Sequence, residues 1–257
     1  MSENMTKRVA LVTGASSGIG REIAGLLIEN GIDVYGVGRT FFAEDFAEGG
    51  FYKKGSGRFT PLTADLSELY GAKKLAEELR EILRRKKETL NFLVNCAGIA
   101  YYGLHENLDA VKIHEMVSVN VEAPMVLANE FLRELRENRG TVVNISSVTA
   151  KSQANTHGCA YGATKAALTS FGNSLFEEVR KHGVRVCNIH PDLTETNLYR
   201  NADFTVSGEA VSCLFAREVA DAVLHCITAR EGLVVTDITV RPSINKIVKK
   251  NPETQVK

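Results

Sequence analysis

The residues most able to do chemistry begin with Thr13-Gly14-Ala15-Ser16-Ser17-Gly18-Ile19-Gly20, which follows an apolar run and precedes a helical one from Arg21 to Glu29. A strand, a glycine-rich turn and a helix N-terminus together present backbone amides and the positive end of a dipole to a phosphate. Gly14, Gly18 and Gly20 would let the chain turn tightly, let backbone approach a pyrophosphate, and let the helix pack close on a sheet; Ser16, Ser17 and Ile19 lie between them. The spacing is G-x-x-x-G-x-G, which taken alone also describes a plain tight β–α connection. About 20 residues on, a dinucleotide fold tests the adenosine ribose, and an acidic side chain there would grip a free 2′-hydroxyl. Here the place reads Gly38-Arg39-Thr40. No carboxylate repels a 2′-phosphate, and the Arg39 guanidinium is suited to pair with one, although a solvated loop arginine is the plainer reading.

Other chemistries find little support. Among six histidines no H-E-x-x-H or similar spacing occurs, so no metal is implied, and His105, His157 and His190 are at most pocket neighbours. Cys96, Cys159, Cys187, Cys213 and Cys226 are odd in number, scattered among apolar residues and without a C-x-x-C pair, which favours buried reduced thiols over disulfides or zinc. With 31 basic and 31 acidic side chains the formal net charge is zero, leaving no sequence-wide field for nucleic acid or an anionic membrane. No run approaches the roughly 20 apolar residues of a membrane span, and the polar start, Met1 to Arg8, lacks a signal peptide's apolar core; a cytoplasmic location is expected.

The elements that must position these residues are legible as alternation. Of 257 residues 44% are hydrophobic, enough for one ordinary globular domain. Strand-length apolar runs alternate with helical patterns, the mark of repeated βαβ units in an α/β, Rossmann-type doubly wound parallel sheet with helices on both faces. Strands are expected at 8–13, 32–37, 58–63, 91–95, 141–146, 184–189 and 233–238. Helical stripes run through Leu69, Ala72, Ala76, Leu79 and Leu83; Leu127, Phe131 and Leu135; and Leu168, Phe171, Leu175 and Val179. Pro61 lacks an amide donor and places the third strand at an edge, in agreement with the order 3-2-1-4-5-6. Arg84-Arg85-Lys86-Lys87 closes a helix where cations complement the dipole. Four glycines between Phe41 and Gly57 make a long helix there improbable; Phe41, Phe42, Phe46 and Phe51 either fold over the adenosine end or serve ordinary loop packing. The polar stretch 246–257 reads as frayed or draped over a neighbouring subunit.

Three further fragments follow in order: Asn95-Cys96-Ala97-Gly98, Asn120, and Tyr161-Gly162-Ala163-Thr164-Lys165. With the turn Thr13 to Gly20 they make the chain resemble the compact single-domain branch of the short-chain dehydrogenase/reductase family over about residues 7 to 240. The resemblance implies a nicotinamide cofactor, a carbonyl–alcohol redox reaction, and dimers or tetramers built through the two long helices flanking the middle of the sheet. With Arg39 it implies NADP(H) in preference to NAD(H). Carried over by position, Tyr161 is the proton donor in reduction and acceptor in oxidation. A free phenol titrates near 10, so work near pH 7 requires roughly 4 kcal/mol of preferential phenolate stabilisation. Lys165, four residues on and on the same helix face, is expected to supply part of it and to hydrogen-bond the nicotinamide ribose. Ser147 of the Ser146-Ser147 pair matches the residue that hydrogen-bonds the substrate oxygen. Ser147 and Tyr161 are 14 positions apart where the family has 13, so the loop 148–160 holds one extra residue. Asn120 is expected to perturb its helix and hold a water linking Lys165 to solvent. Asp65 and Leu66 match positions bordering the adenine, Asp65 reading equally as a helix N-cap. Asn95, Ala97 and Gly98 line the cofactor path. Pro191-Asp192 stands where Pro-Gly is common, and Thr194 and Thr196 are candidates for the carboxamide.

Substrate choice is expected in 99–108, 148–159 and 195–214, loops beyond the carboxyl ends of the strands. Their Tyr101, Tyr102, Leu198, Tyr199 and Phe204 permit a bulky apolar alcohol or ketone such as a steroid-like ring system. Alternatives are a small 3-hydroxy acid of serine type, with Arg200 facing its carboxylate, and a dinucleotide-binding regulator without turnover. A proton-donor set intact at Ser147, Tyr161 and Lys165 argues against the last.

Overall fold

A computed structural model of the chain describes residues 7–152 and 154–250. The chain alternates strand and helix: β1 (Val9–Thr13), α1 (Gly18–Glu29), β2 (Asp33–Gly38), β3 (Phe59–Thr63), α2 (Gly71–Lys86), β4 (Phe92–Asn95), α3 (Ala110–Val117), α4 (Ala123–Glu137), β5 (Thr141–Ile145), α5 (Cys159–Val179), β6 (Arg185–Pro191), β7 (Phe204–Val206), α6 (Ala216–Thr228), β8 (Asp237–Val240) and β9 (Ile247–Lys249). Seven strands pair in parallel in the order β3-β2-β1-β4-β5-β6-β8. The order reverses direction between β1 and β4, so their carboxyl ends open a crevice there, the place where such sheets bind ligands.

Alternate residues of each strand serve opposite faces, as a sheet covered on both sides requires. Val9 and Leu11 of β1 join Leu75 and Leu79 of α2, Leu127 and Phe131 of α4 and Leu175 of α5. Ala10 and Val12 join Ile23 and Leu27 of α1 with Val219 and Val223 of α6. Pro61 lies in the edge strand β3. Between β2 and β3, where no long helix forms, a loop with two short 3-10 turns brings Phe41, Phe46 and Tyr52 onto Phe59, with Tyr52 and Phe59 stacked at 3.8 Å and Phe51 edge-on to Tyr52. These rings take the place of the missing helix against the α1 face of the sheet, while Phe42 stays exposed.

Several sequence expectations need correction. Helix α2 starts only after Tyr70, whose left-handed φ of 63° breaks the stripe, and Leu69 is left 69% exposed. The last parallel strand is 237–240 rather than 233–238. Its hydrogen bonds to β6 begin at Asn188, and the apolar run before it carries no alternation that could have fixed the register. The stretch 246–250 is not frayed: β9 pairs antiparallel with β7, folding back over residues 204–206; 251–257 lie outside the described residues. Cys187, Cys213 and Cys226 are buried free thiols, as expected, but Cys159 is exposed. Among the described residues no helix is long and apolar enough to cross a membrane, and no group of three metal-ligating side chains converges.

Candidate active site

The glycine turn stands at the mouth of the crevice. Ser17 precedes α1 in an extended conformation with no side-chain cap, and no acidic residue occupies the first turn, so the amides of the helix N-terminus are left for an anion. Bare glycines keep this cradle open. A Cβ on Gly14 would stand 2.9 Å from the Ala97 Cα, and one on Gly18 would stand 3.2 Å from Thr196 Cγ2. Thr13 ties the turn to β4: its hydroxyl accepts the amides of Cys96 and Ala97, both at 3.0 Å. One end of the crevice is lined by Gly14, Ser17, Gly18, Ile19, Gly20, Ala97, Gly98, Ser147, Tyr161, Lys165, Pro191, Thr194 and Thr196. The adjoining end is lined by Ser16, Gly38, Arg39, Asp65, Leu66 and Val119. These are the shape and charge of a dinucleotide site: an uncapped helix N-terminus between two pockets, with a guanidinium at the far one. Of the expected cofactor residues, Thr40 and Asn95 do not line either end. Thr40 is exposed beyond β2, and Asn95 is turned into the sheet.

Ser146 and Ser147 part ways after β5. The Ser146 hydroxyl donates to the Lys165 carbonyl at 3.0 Å and meets Thr169 Oγ1 at 2.7 Å, which fixes α5 against the sheet. Ser147 lines the crevice together with Tyr161, its oxygen accepting the Thr149 amide at 3.2 Å. The loop on to α5 turns back at 155–158, with His157 in the left-handed region at φ 62° and Gly103 N donating to its carbonyl at 2.7 Å; Gln153 lies outside the described residues. One helical turn after Tyr161, Lys165 Nζ donates to the Ile145 carbonyl at 2.8 Å and lies 5.9 Å from the Tyr161 ring centre.

Electrostatics correct one expectation. Tyr161 is only 3% exposed, and burial pushes its phenol above the ordinary tyrosine range, outweighing the opposite influence of the Ser147 side chain. Burial also pulls Lys165 down to about 8, so its ammonium is itself disfavoured. The protein alone therefore keeps Tyr161 protonated near neutral pH.

Asn120 sits in a π-helical turn, 118–122, joining α3 to α4, which is the local perturbation expected of it. Its side chain clamps Ile99, accepting the amide at 2.9 Å and donating to the carbonyl at 2.8 Å, and donates to Thr164 Oγ1 at 3.0 Å. Its Oδ1 and Lys165 Nζ converge above Gly98, where a Cβ would meet them at 3.6 and 3.5 Å. Asp65 does not cap α2. Its carboxylate accepts the Ser67 amide and hydroxyl at 2.8 and 2.6 Å, bonds that hold it below the usual carboxylate range, with Arg39 adding to the effect. Asp192 needs no left-handed backbone; its carboxylate accepts the Leu193 amide at 2.9 Å and faces Arg241 Nε at 3.8 Å.

Three arrangements were not foreseen, although Tyr102, Tyr199 and Phe204 were expected in the substrate loops and His190 beside the pocket. Asn95, Asn144 and Asn188 form a buried ladder across β4, β5 and β6, with amide-to-carbonyl steps of 2.9 and 3.1 Å and a last step from Asn188 to Asn173 of α5 at 2.9 Å. His190 spans from Asp237 Oδ2, at 2.7 Å, to the main-chain oxygen of Ser147, at 3.1 Å, and so ties the serine's strand end to β6 and β8. Tyr102 meets Tyr161, Tyr199 and Phe204 at ring distances of 5.6, 6.3 and 5.1 Å, an aromatic wall beside the reactive phenol. The asparagines at matching places in successive strands were the available signal for the ladder.

Comparison with known proteins agrees with this geometry. The family model described as short chain dehydrogenase matches residues 8–205. The chain is 29% identical over 237 residues to an uncharacterized oxidoreductase of Staphylococcus epidermidis, covering 92% of this chain and 97% of that one. It is 30% identical over 266 residues to dehydrogenase/reductase SDR family member 11 of Gallus gallus, covering 94% and 98%. A short-chain dehydrogenase from Sphingobium yanoikuyae, solved in complex with NADPH, superposes with a TM-score of 0.77 at 27% identity, covering 90% of this chain and 87% of that one. The chain belongs to the short-chain dehydrogenase/reductase family and is an NAD(P)-dependent oxidoreductase.

Proposed function

We propose that the protein, one dinucleotide-binding domain with a substrate segment at about 192–214, prefers NADP(H) over NAD(H) and interconverts a secondary alcohol and a ketone. The observation that carries this reading is the convergence of the Ser147 and Tyr161 hydroxyls with Lys165 Nζ on a crevice that also holds the uncapped N-terminus of α1. When bound, the cofactor supplies the hydride. In reduction Tyr161 gives its proton to the carbonyl oxygen and Ser147 donates a hydrogen bond to that oxygen, steadying its developing charge. Burial keeps Tyr161 in the protonated form this step needs. Lys165, with Asn120 beside it above Gly98, returns the proton through water, and Lys165 also holds the nicotinamide ribose. Arg39 has no carboxylate within ion-pair distance among the described residues and lines the adenosine end, where it would pair with the 2′-phosphate. Thr194 and Thr196 would hold the carboxamide, while Asp65 and Leu66 would border the adenine.

The wall of Tyr102, Tyr199 and Phe204 favours an apolar, bulky ketone over a small acid. The segment 197–200 borders the end of the crevice that Tyr161 and the glycine turn also line, a space of about 150 Å³. The family's oligomers, dimers or tetramers, are expected through α4 and α5, where Met125 is exposed and Phe171 half-buried.

The test is NADPH consumption with a panel of bulky ketones and 3-oxo acids. Tyr161→Phe should lower turnover at least about 100-fold while NADPH still binds. Equal turnover by wild type and variant would remove Tyr161 as proton donor, and NADPH binding without turnover of any class would favour a regulator.

A further inference from the structure

Arg200 stands on a short 3-10 helix, Asn197–Asn201, within the segment expected to select the substrate, yet it borders both ends of the crevice. The two ends share Gly14, Ser17, Ala97, Gly98 and Arg200. The glycine turn and Arg200 thus both border the junction of the two ends.

The placement is built. Thr196 rests on Gly18 at the start of α1, and its hydroxyl caps the short helix by accepting the Leu198 amide at 3.3 Å. One turn later Lys250 Nζ donates to the main-chain oxygens of Tyr199 and Arg200 at 2.7 and 3.2 Å, holding the far end. The guanidinium itself is spare: Nη1 donates to the Asn197 carbonyl at 3.1 Å, and among the described residues no carboxylate pairs with it. Arg39, which lines the adenosine end with it, has none within ion-pair distance either. Two cations with no carboxylate within ion-pair distance among the described residues, both bordering the crevice that holds the uncapped N-terminus of α1, match a ligand whose negative charge runs along that crevice.

We propose that Arg200 clamps the cofactor's diphosphate against the N-terminus of α1, so that the substrate segment itself carries a cofactor-binding residue. The proposal rests on the NADP(H) reading above and refines it, since Arg39 then reads the 2′-phosphate and Arg200 the phosphates common to NADPH and NADH. It also takes Arg200 away from the carboxylate of a small 3-hydroxy acid. A further consequence is order of binding: the segment closes on the dinucleotide before the substrate pocket is complete.

The experiment is titration of the full chain with NADPH and with NADH, followed by nicotinamide fluorescence, for wild type, Arg200→Gln, Arg200→Lys and Arg39→Asp. Loss of a charge-assisted contact predicts that Arg200→Gln raises both dissociation constants by a similar factor, about 10-fold or more, with partial recovery in Arg200→Lys. Arg39→Asp should weaken NADPH far more than NADH. Unchanged affinities in Arg200→Gln, a loss confined to NADPH, or an effect seen only in the KM of acidic substrates would overturn the clamp and leave the NADP(H) reading standing. Wild-type protein that binds neither dinucleotide would overturn that reading and the clamp with it.

Discussion

Inside the crevice the cation that would steady a Tyr161 phenolate sits on a group that burial disfavours. Lys165 is held by one carbonyl, Ile145, and titrates near 8 against an ordinary 10.5, a difference of about 3 kcal/mol between its two protonation states. The sign follows from linkage. Between pH 8 and 10.5 the native chain has released this proton and the unfolded chain still holds it, so unfolding becomes harder as pH rises and the cost of burying the cation disappears. Comparing wild type with Lys165→Met by chemical denaturation cancels the titrations the two share. Wild type should gain about 3 kcal/mol relative to the variant across that window, whereas a difference flat with pH would mean the ammonium is not desolvated. Tyr161 moves the other way, its raised value keeping the proton on the phenol. Its activation as a base in the oxidation direction thus falls to charge that arrives with the oxidised cofactor.

At the scale of elements, the asparagine ladder joins three central strands to α5 and reaches the last residue of β4, from which the chain leads to Ala97 and Gly98. Gly172 of α5 lies directly on it: an added Cβ would fall onto Asn188 Oδ1 and within 2.7 Å of Asn144 Nδ2. Gly172→Ala must therefore push apart buried amides that have no water to turn to, and a loss of about 2–4 kcal/mol in denaturation is expected; a loss below about 0.5 kcal/mol would show that the ladder yields freely. This element also marks where the sequence was legible and where it was not. Alternation of strand and helix, the edge placement of Pro61 and the glycine turn each follow from local rules of periodicity, missing donors and dipoles, and β1 through β6 came close to their observed bounds. The last strand and the C-terminal strand did not, because their registers are set by partners distant in sequence, Asn188 to Pro191 and Phe204 to Val206. Tyr161, Lys165, Ser147 and Asn120 were found through family resemblance, whereas the supports of His190 and the ladder depend on which side chains three strands bring together, which no single segment records.

At the scale of the whole molecule, the chain's end returns to its substrate segment. β9 pairs with β7, Ile244 N donates to the Val211 carbonyl at 2.9 Å, Lys246 pairs with Glu209 at 2.7 Å, and Lys250 holds the carbonyls of Tyr199 and Arg200. None of these strands belongs to the seven-stranded sheet. Their loss should consequently loosen 197–212 without melting the core, since local opening is governed by the contacts of the segment that opens. A chain ending at Ser243 is expected to unfold at nearly the wild-type temperature. Trypsin should cut it after Arg200 at least about 10-fold faster, because that site becomes accessible when the segment detaches. NADPH should slow the cut in both proteins, more weakly in the shortened one, if the same arginine rests on the diphosphate. Cleavage at an unchanged rate would mean that 197–212 is held by its packing on Tyr102 and α1 alone, and the returning strand would then be an ornament of the fold rather than the latch on its substrate side.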